Sequence, residues 1–377
     1  MNKKYKIILA ISLIITLVIV ALLIFTRDKQ TPIIEEETAG TLPDSGDQGD
    51  NLPSQGLQQN PISKLTDDGL EVFDYWIKPS TNEVFYIGIN GNVYEARTKP
   101  NTEISSQGIT AINNIKPSMD GEEILVSFGN PNSPSWGMFS MSDRSWRPLP
   151  SSIKEISWGE NNEKLIAIIE GINDVILASI DLSVNTFSEG SFEYETLVRN
   201  FKMRDVGLNW VDDSILISEK PASFYSSRIW MMDQESLNVN LLTEQTKSLT
   251  TRWLGDQDIV FMFSEDGFYI LNKNLENEVP VPFETIPTKC NSSDEYVYCF
   301  VPQGSNVFSG ESALDDYYKN KLKTNDVLLK INKENVNVER VNISGNVPNI
   351  DAKNVNYIDN KIFFINKKDG GLYSVVL

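Results

Sequence analysis

The sequence has no histidine and only two cysteines, Cys290 and Cys299, in 377 residues. Histidine is the commonest general base near neutral pH and the commonest zinc ligand, so its absence removes the most frequent catalytic and metal-binding chemistries. Two thiols are also too few for a cysteine-based metal site. We therefore expect neither a bound metal nor a cofactor.

Positive charge is also scarce. The chain has 33 lysine and arginine residues against 52 aspartate and glutamate residues, which gives a net charge of −19 at pH 7. A surface of this sign repels the phosphates of nucleic acids and the headgroups of anionic lipids. We therefore exclude nucleic acid as a partner.

Motifs of several enzyme classes are absent as well. The sequence contains no G-x-S-x-G elbow, no phosphate-binding G-x-x-x-x-G-K-[ST] loop, no calcium loop and no sialidase-type box. Carboxylates do occur side by side, as in Asp212-Asp213 and Asp315-Asp316. A retaining glycosidase needs two carboxylates about 5–5.5 Å apart, which sequence spacing cannot show. We interpret these residues as turn residues and predict no catalytic residue.

A long uncharged segment stands near the N-terminus, from Ile7 to Phe25. Its nineteen residues are long enough to cross a hydrocarbon core of roughly 30 Å as a helix. A secretory signal, the alternative, usually has a shorter apolar stretch and small residues at its cleavage site, where this chain has the bulky Leu23–Phe25. Lysines precede the segment. We predict that residues 1–29 form a single-pass anchor in the cell membrane, with a cytoplasmic N-terminus and the remaining chain outside the cytoplasm.

Residues 30–61 are rich in proline, glycine, aspartate and glutamine and show no apolar periodicity. Such a composition buries too little apolar surface to offset the entropy lost on ordering. We predict a disordered acidic linker that holds the folded part away from the membrane.

Residues 62–377 repeat one pattern, in which short apolar runs alternate with polar turns and no long segment has helical periodicity. Most repeats are near the roughly 40–45 residues of a four-stranded propeller blade. The seven units align on Lys78, Lys116, Trp158, Trp210, Trp253, Lys289 and Tyr357. We predict an all-β fold, a seven-bladed β-propeller over residues 62–377. A pair of β-sandwiches, or six or eight blades, are the alternatives.

The seventh unit lacks the fourth strand-like run that follows the third run in the other six units. A spare run, Ile62–Leu65, stands before the first unit. An open sheet edge of unpaired N–H and C=O groups invites aggregation. We therefore predict that Ile62–Leu65 pairs beside Leu372–Val376 and closes the ring.

The second unit, "IKPSMDGEEILVSF", resembles the TolB-like propeller repeat, with Asp120-Gly121 at its hairpin turn. A second stretch, residues 288–331, resembles a segment of uncharacterised membrane-anchored propeller proteins from candidate-phyla bacteria. The corresponding residues are Cys290, Cys299, Asp315, Asp316, Tyr317, Tyr318 and Asp326. A tyrosine stands at the tryptophan of that family, and Asn320 replaces its glycine. The resemblance implies fold and location but no activity.

Cys290 and Cys299 flank a polar turn within one predicted hairpin, where their Cβ atoms can approach to the distance that a disulfide requires. The compartment outside the cytoplasm permits oxidation. We predict a disulfide between them. The alternative is two separate buried thiols.

Residues 303–326 form an insertion in the sixth unit, with a helix predicted after Ser312. Loops on a rigid scaffold carry function more often than strands do. We therefore predict a binding site in this insertion. The alternative is that its aromatic side chains only pack over the blade edge or the central channel. The predicted binding residues are Phe308, Asp315, Asp316, Tyr317 and Tyr318.

Trp158, Trp210 and Trp253 recur at one position of the repeat. They indicate either a stacking platform for a glycan or the core between blades. We favour the core, since the recurrence follows the repeat itself.

Together these features predict a membrane-anchored, non-catalytic binding or scaffold module for an envelope protein or a glycan. The alternative is a glycan hydrolase or lyase with carboxylates at the mouth of the central channel. Two carboxylates and an arginine converging in that channel would favour the enzyme.

Overall fold

The computed structural model describes residues 60–377 except positions 98, 106, 160–161, 186, 188–191, 204, 255–257, 277 and 305. The predicted anchor over residues 1–29 and nearly all of the predicted linker lie outside the described residues. Within the part of the chain that is described, no helix is both long and apolar enough to cross a membrane.

Seven blades follow one another along the chain, each an antiparallel sheet of at least three strands, as the repeat pattern predicts; the seventh also takes in the strand that precedes blade one and, by a parallel pairing, a short strand that precedes blade seven. The fold is thus an all-β, seven-bladed propeller. Strand β1 (Asn60–Lys64) precedes blade one, which comprises β2 (Val72–Lys78), β3 (Glu83–Gly88), β4 (Val93–Glu95) and β5 (Thr102–Glu103). Blade two comprises β6 (Ile112–Pro117), β7 (Glu123–Phe128), β8 (Ser135–Ser140) and β9 (Ser145–Pro148), and blade three β10 (Ile153–Trp158), β11 (Lys164–Glu170), β12 (Val175–Asp181) and β13 (Glu195–Val198).

The second half of the ring adds a few short elements. Blade four comprises β14 (Val206–Val211) and β15 (Ser214–Glu219), then, after β16 (Ser226–Ser227), β17 (Ile229–Asp233) and β18 (Val239–Leu241). After β19 (Thr246–Lys247), which pairs with β16, blade five comprises β20 (Thr250–Leu254), β21 (Ile259–Ser264), β22 (Gly267–Leu271) and β23 (Val279–Pro280). A 3-10 helix (Pro287–Lys289) leads into blade six, with β24 (Cys290–Ser292), β25 (Tyr296–Pro302), helix α1 (Ala313–Tyr318), β26 (Asp326–Asn332) and β27 (Val338–Arg340). Blade seven follows β28 (Ile343–Ser344) and comprises β29 (Ala352–Ile358), β30 (Lys361–Asn366) and β31 (Gly371–Val376).

Strand β1 closes the ring, which confirms the prediction for the seventh unit. It lies antiparallel to β31, with Ile62 opposite Val375 and Lys64 opposite Tyr373. On its other side β1 pairs in parallel with β28, starting at Asn60. The sequence did not predict this fifth strand. Because the pairing begins at Asn60, the propeller starts two residues before the predicted boundary.

Apolar residues fill the spaces between neighbouring blades. The second strand of each blade is buried on both faces, as in β7, where Ile124, Leu125 and Val126 are at most 1% exposed. The described residues form seven apolar clusters, one between each pair of neighbouring blades. The cluster between blades six and seven has ten buried residues, and the one between blades four and five has four. The ring is therefore packed unevenly.

The Asp120-Gly121 turn has the geometry that its sequence predicts. Gly121 has a φ of +72° and donates its N–H to the carbonyl of Ser118 at 3.0 Å. A Cβ atom at this position would lie 3.1 Å from the Cα of Lys78. Glycine is therefore required both for the left-handed backbone and for the close approach to blade one.

Other blades make the corresponding turn without glycine. Asp212, Asp258, Asp359 and Asn360 all have positive φ angles between +46° and +57°. Aspartate and asparagine tolerate this region better than other residues with a Cβ atom. The interpretation of Asp212 as a turn residue is confirmed.

Candidate functional site

The first strands of the blades surround a central cavity of about 720 Å³, here called the channel. Blades one, two, four, five, six and seven contribute residues to its wall. The lining residues include Asp74, Tyr75, Asn114, Lys116, Asn209, Trp210, Thr251, Arg252, Trp253, Thr288, Asn354, Asn356 and Tyr357. The wall is therefore rich in amide, hydroxyl and aromatic groups.

Arg252 joins three blades at the channel wall. Its guanidinium donates to the carbonyl of Cys290 at 3.0 Å and to the carbonyl of Val355 at 2.6 Å. It also donates to Oδ1 of Asn356 at 2.7 Å. Burial lowers the pKa of Arg252, but arginine remains charged at any physiological pH. This side chain acts as a tie between blades five, six and seven.

Asp74 is a carboxylate in the channel wall. It accepts hydrogen bonds from Nδ2 of Asn354 at 2.7 Å and from the N–H of Tyr75 at 2.8 Å. Burial raises the pKa of Asp74, and the positive charge of Lys353 opposes part of this rise. Burial also raises the pKa of Tyr75, whose hydroxyl lies 2.6 Å from the carbonyl of Asn354. Both groups are bonded to blade seven.

Lys116 has a similar structural role on the opposite part of the ring. Its ammonium donates to Oε1 of Glu155 at 2.5 Å, to the carbonyl of Ile156 at 2.7 Å and to that of Leu208 at 3.1 Å. Among the described lining residues, Asp74 is the one carboxylate that accompanies Arg252. The pair of carboxylates that would favour the enzyme is not present in this part of the wall.

The aligned repeat position is correct in four blades. Trp158, Trp210, Trp253 and Tyr357 each lie opposite the second residue of the next strand. In the other three blades the alignment was wrong. The residues at this position are Ile77, Pro117 and Ser292, rather than Lys78, Lys116 and Lys289.

The three tryptophans at this position have different environments. Trp158 is 6% exposed and donates its indole N–H to the carbonyl of Lys116 at 2.6 Å, so it belongs to the core. Trp210 and Trp253 are half-buried and line the channel. Neither indole nitrogen has a hydrogen-bond partner among the described residues. The core interpretation is confirmed for Trp158 and holds in part for Trp210 and Trp253, which also pack against the apolar clusters between blades three and four and between blades four and five.

Cys290 and Cys299 lie directly opposite each other on β24 and β25, and the structure joins them by a disulfide. Both are fully buried in the cluster between blades five and six. The described residues contain no group of three or more histidine, cysteine, aspartate or glutamate side chains placed to hold a metal ion.

The five residues predicted to bind a partner do not form one open site. Phe308 and Tyr317 are 3% and 2% exposed and meet edge to face in the apolar cluster between blades five and six. Tyr318 is 44% exposed, and its hydroxyl lies 3.3 Å from Oγ1 of Thr250 in blade five. A packing role is thus visible for the two buried rings. A binding role of the five residues stays a prediction.

The two aspartates of the insertion hold it in place. Asp315 accepts from the N–H of Ser223 in blade four at 2.9 Å and from Nζ of Lys319 at 2.9 Å. Burial alone would raise the pKa of Asp315, but these bonds outweigh it and hold the pKa below its ordinary value. Asp316 accepts from the hydroxyl of Ser312, the residue that precedes α1.

Sequence reasoning missed a buried ionic network beneath the insertion, centred on Lys289. Its ammonium donates to Asp326 at 2.6 Å, to Asp351 at 2.9 Å and to Oγ1 of Thr324 at 3.0 Å. The side chains of Lys289, Asp326 and Asp351 are all fully buried. Burial would raise the pKa of Asp351, but Lys289 and Thr324 together lower it. The available signal was Asp326, which the family resemblance contains.

No protein-family model and no curated protein matches this chain. Several solved structures share its fold. Oligogalacturonate lyase from Vibrio parahaemolyticus has 12% identity and a TM-score of 0.55, with 84% of this chain and 93% of the lyase covered.

Two further structures illustrate the range of proteins with this fold. The β-propeller domain of Cps50 (Swd1) from Myceliophteria thermophila has 9% identity and a TM-score of 0.53, with 84% of this chain and 99% of the domain covered. The tricorn protease has 10% identity and a TM-score of 0.51, with 84% of this chain covered. This chain spans only 34% of the protease. At such identities the likeness shows the propeller fold alone.

Proposed function

We propose that this chain is a non-catalytic binding module of a bacterial cell envelope. An N-terminal helix anchors it in the cell membrane, and the propeller lies outside the cytoplasm, where it binds an envelope protein or a glycan. The uncharged segment Ile7–Phe25, the polar linker and the resemblance of residues 288–331 to membrane-anchored propeller proteins support this location.

The observation that supports binding over catalysis is the state of the charged groups in the channel. Arg252 and Lys116 are bonded to carbonyl groups of neighbouring blades, and Asp74 is bonded to blade seven. A general acid or base must be free to exchange a proton with a substrate. These three groups instead hold the wall of the channel in a fixed shape, which favours recognition.

Catalysis is tested with the full chain, purified in a detergent that contains no sugar. We expect no new reducing ends and no unsaturated products when it is incubated with oligogalacturonate or neutral polysaccharides. Turnover that is lost in an Asp74→Asn variant would contradict the non-catalytic function. A C-terminal reporter that is active only outside the cytoplasm tests the orientation, and an inactive reporter would reverse it.

The partner is sought by photo-cross-linking in cells. A photoreactive residue replaces Tyr318, which is exposed beside blade five, and in a control strain it replaces Ile172 in blade three, which is fully exposed. We expect the first position to give a discrete adduct with an envelope protein or a glycan. Identical adducts at the two positions, or none at Tyr318, would contradict a partner at the insertion.

A further inference from the structure

Three residues that line the channel each have a buried side-chain polar atom with no hydrogen-bond partner among the described residues. The atoms are Nε1 of Trp210, Nε1 of Trp253 and Oγ1 of Thr288. The described part of the chain has five such atoms in all, so most of them lie at this one place. They come from blades four, five and six, which are adjacent, and they therefore share one side of the channel.

Trp158 provides an internal reference for the two indoles. It occupies the same register position in blade three, and its N–H is paired with the carbonyl of Lys116. The indole of Trp76 in blade one is likewise paired, with the carbonyl of Gly121 at 3.2 Å. The fold can therefore satisfy an indole at a blade boundary. It does not do so for Trp210 and Trp253, although an unpaired buried donor costs about 1–3 kcal/mol.

The chemistry of the wall limits what can pair with these groups. An indole N–H only donates, so a ligand must present acceptors to Trp210 and Trp253. The hydroxyl of Thr288 and the exposed amides of Asn114 and Asn209 both donate and accept. The charged groups of the wall are bonded to the protein. These features favour an uncharged ligand with many hydroxyl or ether oxygens.

The dimensions and aromatic content agree with such a ligand. Pockets for small ligands measure about 300–1,000 Å³, and the channel measures about 720 Å³. The half-buried rings of Trp210, Trp253 and Tyr357 provide apolar surface next to the polar atoms. A sugar ring has the same combination, with hydroxyl groups at its rim and C–H groups on its faces.

We propose that the wall formed by Trp210, Trp253 and Thr288 binds an uncharged oligosaccharide inside the channel. This inference rests on the proposed binding function and names its ligand class. Because these three atoms are buried, binding must turn the side chains so that the indole N–H groups donate to sugar oxygens and Thr288 completes the hydrogen bonding on the side of blade six. A peptide, which also presents carbonyl acceptors, is the competing ligand in the experiment.

The experiment follows the indole N–H signals by ¹⁵N NMR in the full chain, in a detergent that contains no sugar. The probes are cellohexaose, maltohexaose and chitohexaose, with oligogalacturonate as the charged probe and an unstructured Gly-Ser peptide as the competitor. We expect one neutral oligosaccharide to shift the signals of Trp210 and Trp253 but not that of Trp158. Trp→Phe variants at the three positions assign these signals.

Calorimetry supplies the affinities of the same variants. Trp210→Phe and Trp253→Phe each remove one donor and should weaken binding about three- to tenfold. Trp158→Phe should leave the affinity unchanged, and Trp146→Phe, whose indole donates to Gln107 far from the channel wall, is the control should Trp158→Phe fail to fold. If Trp210→Phe and Trp253→Phe bind the oligosaccharide as tightly as the unchanged protein does, the assignment of these indoles as donors is wrong.

The remaining outcomes separate this inference from the proposed function. If only the peptide or the charged probe shifts both indole signals, or if no probe does, the oligosaccharide assignment is wrong. If the photoreactive residue at position 318 still cross-links to an envelope component, the proposed binding function is supported even though the oligosaccharide assignment is wrong. If a bound oligosaccharide is cleaved, the site is supported and the non-catalytic function is wrong.

Discussion

The buried side-chain nitrogen donors of this ring are paired on one side and unpaired on another. On the closing side, formed by blades six and seven with strand β1, the ammonium of Lys289 has three hydrogen-bond partners, and Arg252 reaches across from blade five to add three more bonds. In the wall of blades four and five, Trp210 and Trp253 have unpaired donors. The apolar cluster between blades four and five is also smaller. The comparison teaches that this propeller pairs its buried cations where the chain ends meet, although Oδ1 of Asp326 there has no hydrogen-bond partner in the described part of the chain, and leaves the indole donors of blades four and five unpaired.

The largest effect is expected from Lys289→Met. This change leaves two fully buried aspartates, Asp326 and Asp351, without their cation, and breaking a buried pair in this way costs about 3–5 kcal/mol. Urea unfolding measures the loss. The control is Lys319→Met, because Lys319 forms an exposed ion pair with Asp315, worth about 0.5 kcal/mol or less. If the two variants lose the same free energy of unfolding, the buried network of Lys289 is no more important for stability than an exposed ion pair.

Removal of strand β1 should have the next largest effect. A chain that starts at residue 66 loses the ladder of Ile62–Lys64 with β31 and exposes the edge of that strand. We expect a loss of about 3 kcal/mol from several hydrogen bonds and the apolar contacts of Ile62. A chain that starts at residue 57 is the control. If both chains melt at the same temperature and stay monomeric in size-exclusion chromatography, the closure contributes little.

The disulfide should contribute less, since it closes a short loop. Cys290 and Cys299 are nine residues apart, for which loop-closure entropy gives about 2–3 kcal/mol. The double variant Cys290→Ala/Cys299→Ala should lose that amount in urea unfolding. Thiol labelling of the denatured, non-reduced protein checks the bond itself, and two reactive thiols would rule it out.

Lys367 on the closing side should make stability depend on pH. Burial and the positive charges of Lys289 and Lys353 lower its pKa from 10.5 to about 8, although Asp351 opposes this shift. Between these two values the unfolded chain holds a proton that the folded chain has lost. Because the unfolded state then binds more protons, the free energy of unfolding rises as the pH increases above 8.

The expected gain is about 1–2 kcal/mol between pH 8 and 9.5, before tyrosines ionise in the unfolded chain. Lys367→Met should remove this slope. Unfolding in urea at a series of pH values measures both proteins. A free energy of unfolding that falls over this range, or the same slope in the variant, would contradict the lowered pKa.

The smallest effect is expected in the wall of blades four and five. Trp253→Phe removes an unpaired donor together with some apolar area, and these changes oppose each other, so stability should change by less than about 1 kcal/mol. Trp158→Phe, which breaks a paired indole in the core, should cost more. If thermal melts show that Trp253→Phe loses more stability than Trp158→Phe, the unpaired indole contributes more than the paired one, which would contradict this prediction.

The sequence was sufficient to predict the architecture, because the alternation of short apolar runs with polar turns recurs in every blade. The pairing of Ile62 with Val375 could be predicted because the seventh unit lacked a strand and the start of the propeller had a spare one. Pairing with β28 could not be predicted, because Ile343 and Ser344 lie in a connection outside the repeat.

The candidate site was less accessible to sequence reasoning. Lys289 binds partners that lie 37 and 62 residues away, and only the folded ring brings them together. The repeat position of Trp210 and Trp253 was predicted correctly. Their unpaired state depends on which carbonyl the neighbouring blade presents, as the bond from Trp158 to Lys116 illustrates, and the sequence of one blade does not contain that information.

Closure by β1 also sets an order of events during synthesis. The hydroxyl of Thr66 and the amide of Leu372, which bond at the seam, are 306 residues apart. The ribosome makes β1 before the other strands of the propeller and makes β31, its antiparallel partner, after them. Until then the nascent strand must avoid foreign edges, and Pro61, which has no amide hydrogen, and the charged Lys64 both hinder such pairing. Such distant contacts form slowly, so the seam is expected to be the last part of the molecule to mature.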